Sequence, residues 1–330
     1  MYQAPRTVLV LAPETDPTAD RVASELAGRG IPVTRADTAD FPVSLTLKAG
    51  FSGDAAGWSG ELIGTTAADR AIGVGPGQIQ SIYFRHPTQF RLAEGMSGPE
   101  RIFAYNEARR GFGGVLQALD CRWVNHPVRA AAAEYKPVQL AAAAAAGLRV
   151  PDSIITNDPA YARTWASARQ RPVIYKPLAG AWHPEDSQIK IVYTNKIDNL
   201  DALTGEGIEL TAHLFQEWID KAFEARSIVV GEQVFTVAIR SDSEAGQIDW
   251  RADYDSHHYQ VIDLPAEIRK SLITLHRRLG LLYGACDLAV TPGGQWVFFE
   301  VNPAGQWGWL ADACGLPVAS ALADLLARTR

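Results

Sequence analysis

Apolar and polar positions change period twice along the chain. Near the start, an apolar run over residues 7–12 ("TVLVLA"), a helical period over 18–30 ("TADRVASELAGRG") and the stretch "PVTRAD" predict strand, helix and strand. Gly28 and Gly30 act as helix stop signals. Residues 41–80 then alternate apolar and polar between glycines ("FPVSLTLKAGFSG", "GWSGELIGTT"), which predicts hairpins. "SIYFRHP" is a further strand ending in Arg85 and His86. Ser97 predicts an N-cap, with Pro99 and Glu100 in the first turn of a helix running to about Leu119. That helix carries Arg101, Arg109 and Arg110, an arrangement expected of a solvated face.

A new unit begins at "EYKPVQLAAAAAAGLRVPDS". Pro137 suits a first helical turn, the alanine tract makes a helix thin enough for close packing, and Gly147 stops it before Pro151. Beyond it the period shortens to that of strands: "PVIYKP", "IKIVYT", "HLFQEWI", "ARSIVVGEQVFTVAIR", "YGACDLAV" and "WVFFEV". Their short connections predict mostly antiparallel pairing, interrupted by a helix over about Pro265–Leu279. No internal repeat is visible.

Composition narrows the class. The 330 residues allow two or three domains, and 47% hydrophobic with 21% charged residues describes an ordinary globular chain. A net charge of -6 without a basic block argues against a nucleic-acid or anionic-membrane surface. Cys121, Cys286 and Cys314 lack metal-type spacing and imply a reducing compartment. Neither a signal h-region nor a run of the ~20 apolar residues a span needs is present, so a cytoplasmic protein is expected. The opening is Rossmann-like, and Asp37 sits where a ribose-binding acid would. Its first turn, "APETDPTAD", has no glycine to cradle phosphate, so dinucleotide binding is rejected there.

Chemistry collects at strand ends in the second half. In "FFEVNPAGQWGW", Glu300 and Asn302 are two apart on a strand and project together. A carboxylate and an amide there can form an oxygen-rich pocket for a hard cation; alone, a strand running into a proline turn explains them equally well. The set is what argues for function. Lys136, Lys176, Glu217, Glu224, Arg226, Arg251, Asp287, Glu300 and Asn302 make an inventory for a nucleoside triphosphate with magnesium. The loop over residues 179–188, "AGAWHPEDSQ", reads either as a lid over phosphates or as an ordinary connection. The histidines, including the adjacent His257 and His258, form no metal motif and are expected in structural or surface roles. Cys286 reads as an inert core thiol, and no nucleophile elbow occurs.

These residues, in this order, resemble the ATP-grasp superfamily. The longer stretches "YFRHP", "SGPERIFAYNEAR", "GFGGVLQAL", "WVNHP", "AEYKPVQLA", "GLRVPDSIITNDP", "HLFQEWIDKAFEARSIVVG" and "VNPAGQWGW" resemble, more closely, the ATP-grasp ribosomal peptide maturases, the graspetide synthetases. The resemblance implies an α+β and α/β chain: a Rossmann-like pre-ATP-grasp domain (1–128), a central ATP-grasp subdomain with a phosphate loop (129–214) and a C-terminal subdomain with the metal site (215–330). It implies ATP and Mg2+ as cofactors. Lys136 and Lys176 would meet the phosphates, Lys176 also adenine N7, while Glu217, Trp218 and Ile219 form the adenine–ribose hinge with Glu224 beside it. Asp287, Glu300 and Asn302 would hold magnesium, and Arg226 and Arg251 would face the γ-phosphate and an acyl phosphate. Asp253 stands where related ligases carry an amide, and Arg240 joins the site only if the turn at Gly231 and Glu232 sets the register.

The implied activity is macrocyclisation of a ribosomally made precursor peptide with a leader segment. Asp or Glu side chains would be activated as acyl phosphates and captured by Ser or Thr hydroxyls, or a Lys amine, as ω-esters or ω-amides. The strand "IKIVYTNKI" and nearby helices are candidates for docking the leader, and many family members are dimers. Two alternatives share the residue set: a ligase adding a free amino acid to a C-terminus, and an ATP-binding module without turnover. The module is disfavoured because every expected metal ligand and phosphate lysine is present.

Overall fold

A computed structural model of the chain describes residues 6–328, apart from 55–56, 65–70, 76, 180–181, 186–187, 192–193, 198, 201–202, 204 and 251–255. It opens with β1 (Thr7–Leu11), α1 (Pro17–Gly28) and β2 (Val33–Ala36). The Asp16 side chain caps α1 by accepting from the Thr18 and Ala19 N–H groups. Strands β3 (Leu45–Gly50), β4 (Ser59–Gly64) and β5 (Ile72–Val74) pair antiparallel, as the alternation over 41–80 predicts. Then β6 (Ile79–Phe84), α2 (Gly98–Gln117) and β7 (Arg122–Val124) complete a first sheet of order β2-β1-β6-β7 with parallel pairings. A capping box of Ser97 and Glu100 starts α2, and its Arg101, Arg109 and Arg110 are exposed.

Helices α3 (Pro127–Ala133) and α4 (Lys136–Ala145) follow, then β8 (Ser153–Thr156), α5 (Pro159–Ser167) and β9 (Val173–Lys176). After β10 (Trp182–Glu185), β11 (Gln188–Ile191), β12 (Asn195–Lys196) and α6 (Gly205–Ile208) comes β13 (His213–Glu217). An antiparallel sheet of order β12-β9-β13-β8 results, with β10 and β11 as a separate hairpin. The stretch read as a loop over 179–188 therefore contains a strand. The one read over 189–194 is part of that hairpin's second strand, and its Val192 and Tyr193 lie outside the described residues.

The remaining strands are β14 (Phe223–Val230), β15 (Gln233–Ser241), β16 (His257–Val261), β17 (Tyr283–Val290) and β18 (Trp296–Asn302). They form an antiparallel sheet of order β16-β15-β14-β17-β18. Helix α7 (Glu244–Ile248) follows β15, α8 (Ala266–Leu279) precedes β17, and α9 (Gly308–Cys314) and α10 (Val318–Ala327) close the fold. Gly231 turns β14 into β15 with φ +60, a conformation that costs glycine little.

Both faces of this sheet are covered, which is why every residue of β17 is buried. On one face Ala225, Val229, Cys286, Leu288, Phe298 and Val301 pack against Leu272, Leu275 and Leu279 of α8 and Ala133 and Ala143 of α3 and α4. Burying each large side chain of this kind is worth roughly 1.5–3 kcal/mol. On the other, Ile228, Val230, Val237, Tyr283 and Ala285 share a core with Leu310, Leu322 and Leu326 of the last helices and Val8, Val10 and Tyr83 of the first sheet. Cys286 is a core thiol, as expected, and burial pushes its pKa up.

His276 is buried in this core, as expected of a structural histidine. Its Nδ1–H donates to the Leu272 carbonyl at 2.9 Å. The ring lies on Gly284, where a Cβ would stand 2.6 Å from Nε2. Burial lowers its pKa from 6.5 to about 4, so the folded ring stays neutral while the unfolded chain takes up a proton as pH falls through 6.5. The stability it withholds is therefore absent at neutral pH and grows as pH falls toward 4, reaching about 2 kcal/mol between pH 7 and pH 5. Urea unfolding at both pH values should show His276→Leu losing about that much less than the native chain on acidification. Equal losses would contradict the neutral assignment.

Candidate active site

A cleft of about 490 Å³ opens between the central sheet and the five-stranded sheet. The central sheet contributes Ile174 and Lys176 from β9 and Gln216 and Glu217 from β13; the other contributes Glu224, Asp287, Phe299 and Glu300. Trp218, Ile219 and Lys221, in the segment joining them, form its wall.

At the floor, register does the assembling. Arg226 on β14 lies opposite Asp287 on β17, which lies opposite Glu300 on β18. Asp287 pairs with Glu300 but Leu288 pairs with Phe298, so Phe299 is an extra, bulged residue. In a regular strand residues 298 and 300 would share a face; here Phe298 is buried in the core while Phe299 and Glu300 both line the cleft. Arg226 Nη1 donates to Asp287 Oδ1 at 2.7 Å and Nη2 to the Gln306 carbonyl at 3.2 Å. Lys136, the first residue of α4, reaches Glu300 Oε2 at 2.5 Å, and Lys176 approaches the same oxygen at 3.4 Å. Asn302 projects on the side of Glu300, opposite Ala285, and its Oδ1 accepts from the Ala304 N–H at 3.0 Å.

Toward the other end, Glu224 is buried and receives a hydrogen bond from Lys221 Nζ, which also donates to the Ile248 carbonyl at 3.1 Å. Burial raises the Glu224 pKa, Lys221 opposes that shift, and the nearby Asp287 and Asp249 reinforce it. Lys221 lies 5.3 Å from the Trp218 ring centroid and Lys196 4.0 Å from it. Ile219 packs with Ala289, Val297 and Phe299 beneath this wall. Glu217 faces the cleft and pairs with Arg171 Nε at 3.4 Å.

The loop after the acid strand is gripped from the first sheet. Asn125, next to β7, donates to the Tyr283 and Pro303 carbonyls at 2.8 and 2.7 Å and accepts from the Leu282 and Tyr283 N–H groups. All four of its hydrogen-bonding positions are used. The buried Arg85 donates to the Ala304 carbonyl and, at 2.5 Å, to Gln306 Oε1, while its Nε lies 3.3 Å from Asp16 Oδ2. His86 Nε2 donates to the same Ala304 carbonyl at 2.6 Å.

Of the nine single residues in the sequence inventory, Lys176, Glu217, Glu224, Asp287 and Glu300 line the cleft, Lys136 and Arg226 pair with Glu300 and Asp287, and Asn302 projects on the side of Glu300. Trp218 and Ile219 line the cleft as well. Arg251, with Ala252 and Asp253, lies outside the described residues. Arg240 does not join: Ile239 and Val237 pair with Glu224 and Arg226, so Arg240 lies on the opposite face, 4.6 Å from the Phe223 ring centroid. Lys221 was not picked out, since a lysine in a polar connection looks solvated until the fold buries it beside Glu224. Lys196, Asp249 and Phe299 were missed for the same lack of a local signal.

Among the described residues no three His, Cys, Asp or Glu side chains cluster as metal ligands. The oxygen set is two carboxylates and one amide, which suits magnesium rather than a softer ion. Arg226 Nε is buried without an acceptor among the described residues, as a site that receives an anion would leave it.

Neither a protein-family model nor a curated protein matches the chain. Solved structures do. The chain is similar to a RiPP-associated ATP-grasp ligase of Chryseobacterium gregarium, in complex with ADP and a leader and core peptide (26% identity, 97% of this chain and 96% of that one, TM-score 0.86). Macrocyclase MdnC of Microcystis aeruginosa MRC, bound with precursor peptide MdnA, gives 29% identity over 97% of this chain and 98% of that one, TM-score 0.81. Macrocyclase MdnB of the same organism gives 30% identity over 98% and 99%, TM-score 0.79. With that identity over nearly the whole of both chains, this protein belongs to the ATP-grasp ligases that mature ribosomally made peptides.

Proposed function

We propose that the chain is an ATP-dependent macrocyclase acting on a ribosomally made precursor peptide with a leader segment. The observation that carries the reading is the floor of the cleft: Asp287 and Glu300 side by side in register, each met by fixed cations, between two antiparallel sheets. In this reading residues 1–128 are the pre-ATP-grasp domain, 129–214 the central subdomain and 215–330 the C-terminal subdomain. A homodimer and a cytoplasmic location are part of the same proposal; separately, among the described residues no helix is long and apolar enough to cross a membrane.

Trp218 and Ile219, with Glu217, form the wall for the adenine, and Glu224, held by the hydrogen bond from Lys221, meets the ribose hydroxyls. Asp287, Glu300 and Asn302 would hold magnesium, which when bound would supply positive charge to stabilise the phosphates. Lys136 and Lys176 are within reach of both Glu300 and an anion above it, so they can pass from the carboxylate to phosphate oxygens. Arg226, fixed by Asp287 and Gln306, faces the charge that develops as a substrate carboxylate attacks the γ-phosphate. ADP leaves, and a Ser or Thr hydroxyl or Lys amine of the same peptide displaces phosphate from the acyl phosphate. Arg251 belongs to this second step. Both steps need water excluded.

Three measurements test the reading. Glu300→Gln with Asn302→Ala should stay folded and lose turnover by roughly 100-fold or more, since metal charge supplies several kcal/mol of transition-state stabilisation. Near-native ATP consumption in the folded double variant would remove the metal assignment.

Lys136→Ala and Lys176→Ala should each weaken nucleotide binding in calorimetry. Arg226→Lys should lower turnover more than affinity, because the lysine retains charge but loses the two-pronged geometry. Lysine is the substitution of choice because deleting the charge would break a buried ion pair, a change that typically costs about 3–5 kcal/mol. Unchanged affinity in both lysine variants would refute the phosphate assignment.

Incubation with ATP, Mg2+ and a precursor peptide should lower the peptide's mass by one water per ring, with ATP turnover dependent on the peptide alone. Leader truncation should slow the losses, because it removes the docking that raises the core's local concentration. A mass gain matching an added free amino acid would instead make the chain an amino-acid ligase.

A further inference from the structure

Helix α4 crosses the edge strand β18 and touches it at two successive residues. Lys136 reaches the Glu300 carboxylate. One turn on, the buried Gln139 meets the backbone of Val301: Oε1 accepts from its N–H at 3.0 Å and Nε2 donates to its carbonyl at 2.8 Å. The second amide hydrogen goes to the Ala133 carbonyl at 2.6 Å. The side chain thus pairs with the strand as a neighbouring backbone would, at the point where β18 has no further strand beside it.

Val301 stands between Glu300 and Asn302. Its own side chain points into the core, opposite Cys286, while its neighbours Glu300 and Asn302 lie on the other face of the strand, where Glu300 lines the cleft. Holding both its N–H and its carbonyl fixes the two peptide planes that flank it. Those planes set the separation and aim of the Glu300 and Asn302 side chains. The bulge at Phe299, one residue upstream of Glu300, makes this restraint more consequential, because the ladder to β17 is interrupted there.

Resting on the metal-site reading above, we propose that Gln139 is a positioning residue for the metal ligands. By clamping the Val301 backbone it holds Glu300 and Asn302 at the spacing a divalent cation requires. Outer groups that orient ligands in this way commonly change metal affinity when removed, without touching the ion.

The test uses the full chain with saturating ADP and Mn2+ as the probe, followed by electron paramagnetic resonance. Gln139→Met keeps the length of the side chain and loses its hydrogen bonds. It should bind Mn2+ roughly 10- to 100-fold more weakly. ADP affinity measured in chelator should be unchanged. Gln139→Asn keeps an amide but is one methylene too short to hold both groups of Val301; it should show the same loss and serves if the methionine variant does not fold. Ala143→Gly, on the same helix and buried against the same core, loosens the packing without reaching Val301 and should leave Mn2+ affinity as it was. Native Mn2+ affinity in the folded Gln139 variants, or an equal loss in Ala143→Gly, would overturn the proposal and leave the metal site standing. Absence of ADP-dependent Mn2+ binding in the native chain would overturn the metal site itself.

Discussion

One extra residue in β18 sets the active face of this protein. With Phe299 bulged, Phe298 turns into the core and Glu300 turns into the cleft, opposite Asp287. Without it, the alternation that buries Phe298 would bury Glu300 as well. Arg226, one strand further in, completes the row, and the rest of the site is arranged around these three charges. Bulges next to active sites commonly re-aim a side chain in this way.

Charges brought this close have to be held. Arg226 and Asp287 are both buried, and removing either would break a buried ion pair. Glu300 lies between two lysines, and Glu224 beside a third. The fold supplies the geometry from outside the cleft: Asn125 and Arg85 from the first sheet, and Gln139 from α4, all bind backbone groups of residues 301–304. The N-terminal sheet therefore serves the chemistry as a buttress for the loop that follows the acid strand. The same sheet face that holds Arg226 at one end shares a core with the first sheet at the other, so positioning and packing rest on one set of strands.

Much of this was legible in the sequence. The hairpins of residues 41–80, the capped helix at Ser97 and the strand run of the second half follow from period and turn residues, and the ordered set of charges marked the cleft. The helix–helix and sheet–helix partners were not legible. Nothing local says that the alanine helix packs on the C-terminal sheet or that α10 lies beside α1. The bulge left no mark either, since "VFFEV" reads as an unbroken strand. Lys221 looks like a surface lysine, and Gln139, Asn125 and Arg85 look like ordinary polar residues until their backbone partners, more than 150 positions away for Gln139 and Asn125 and more than 200 for Arg85, come into contact. Local pattern locates elements and candidate charges; long-range pairing decides which of them meet.

The central claim is that Asp287, Glu300 and Asn302 jointly hold the divalent cation that works with ATP. Anomalous diffraction from crystals of the protein grown with ADP and Mn2+ tests it directly. A peak with oxygens of all three side chains at about 2 Å is expected, with Lys136 and Lys176 turned from Glu300 to the phosphates. Manganese bound elsewhere, or a Glu300 still held by both lysines with nucleotide in the cleft, would contradict it.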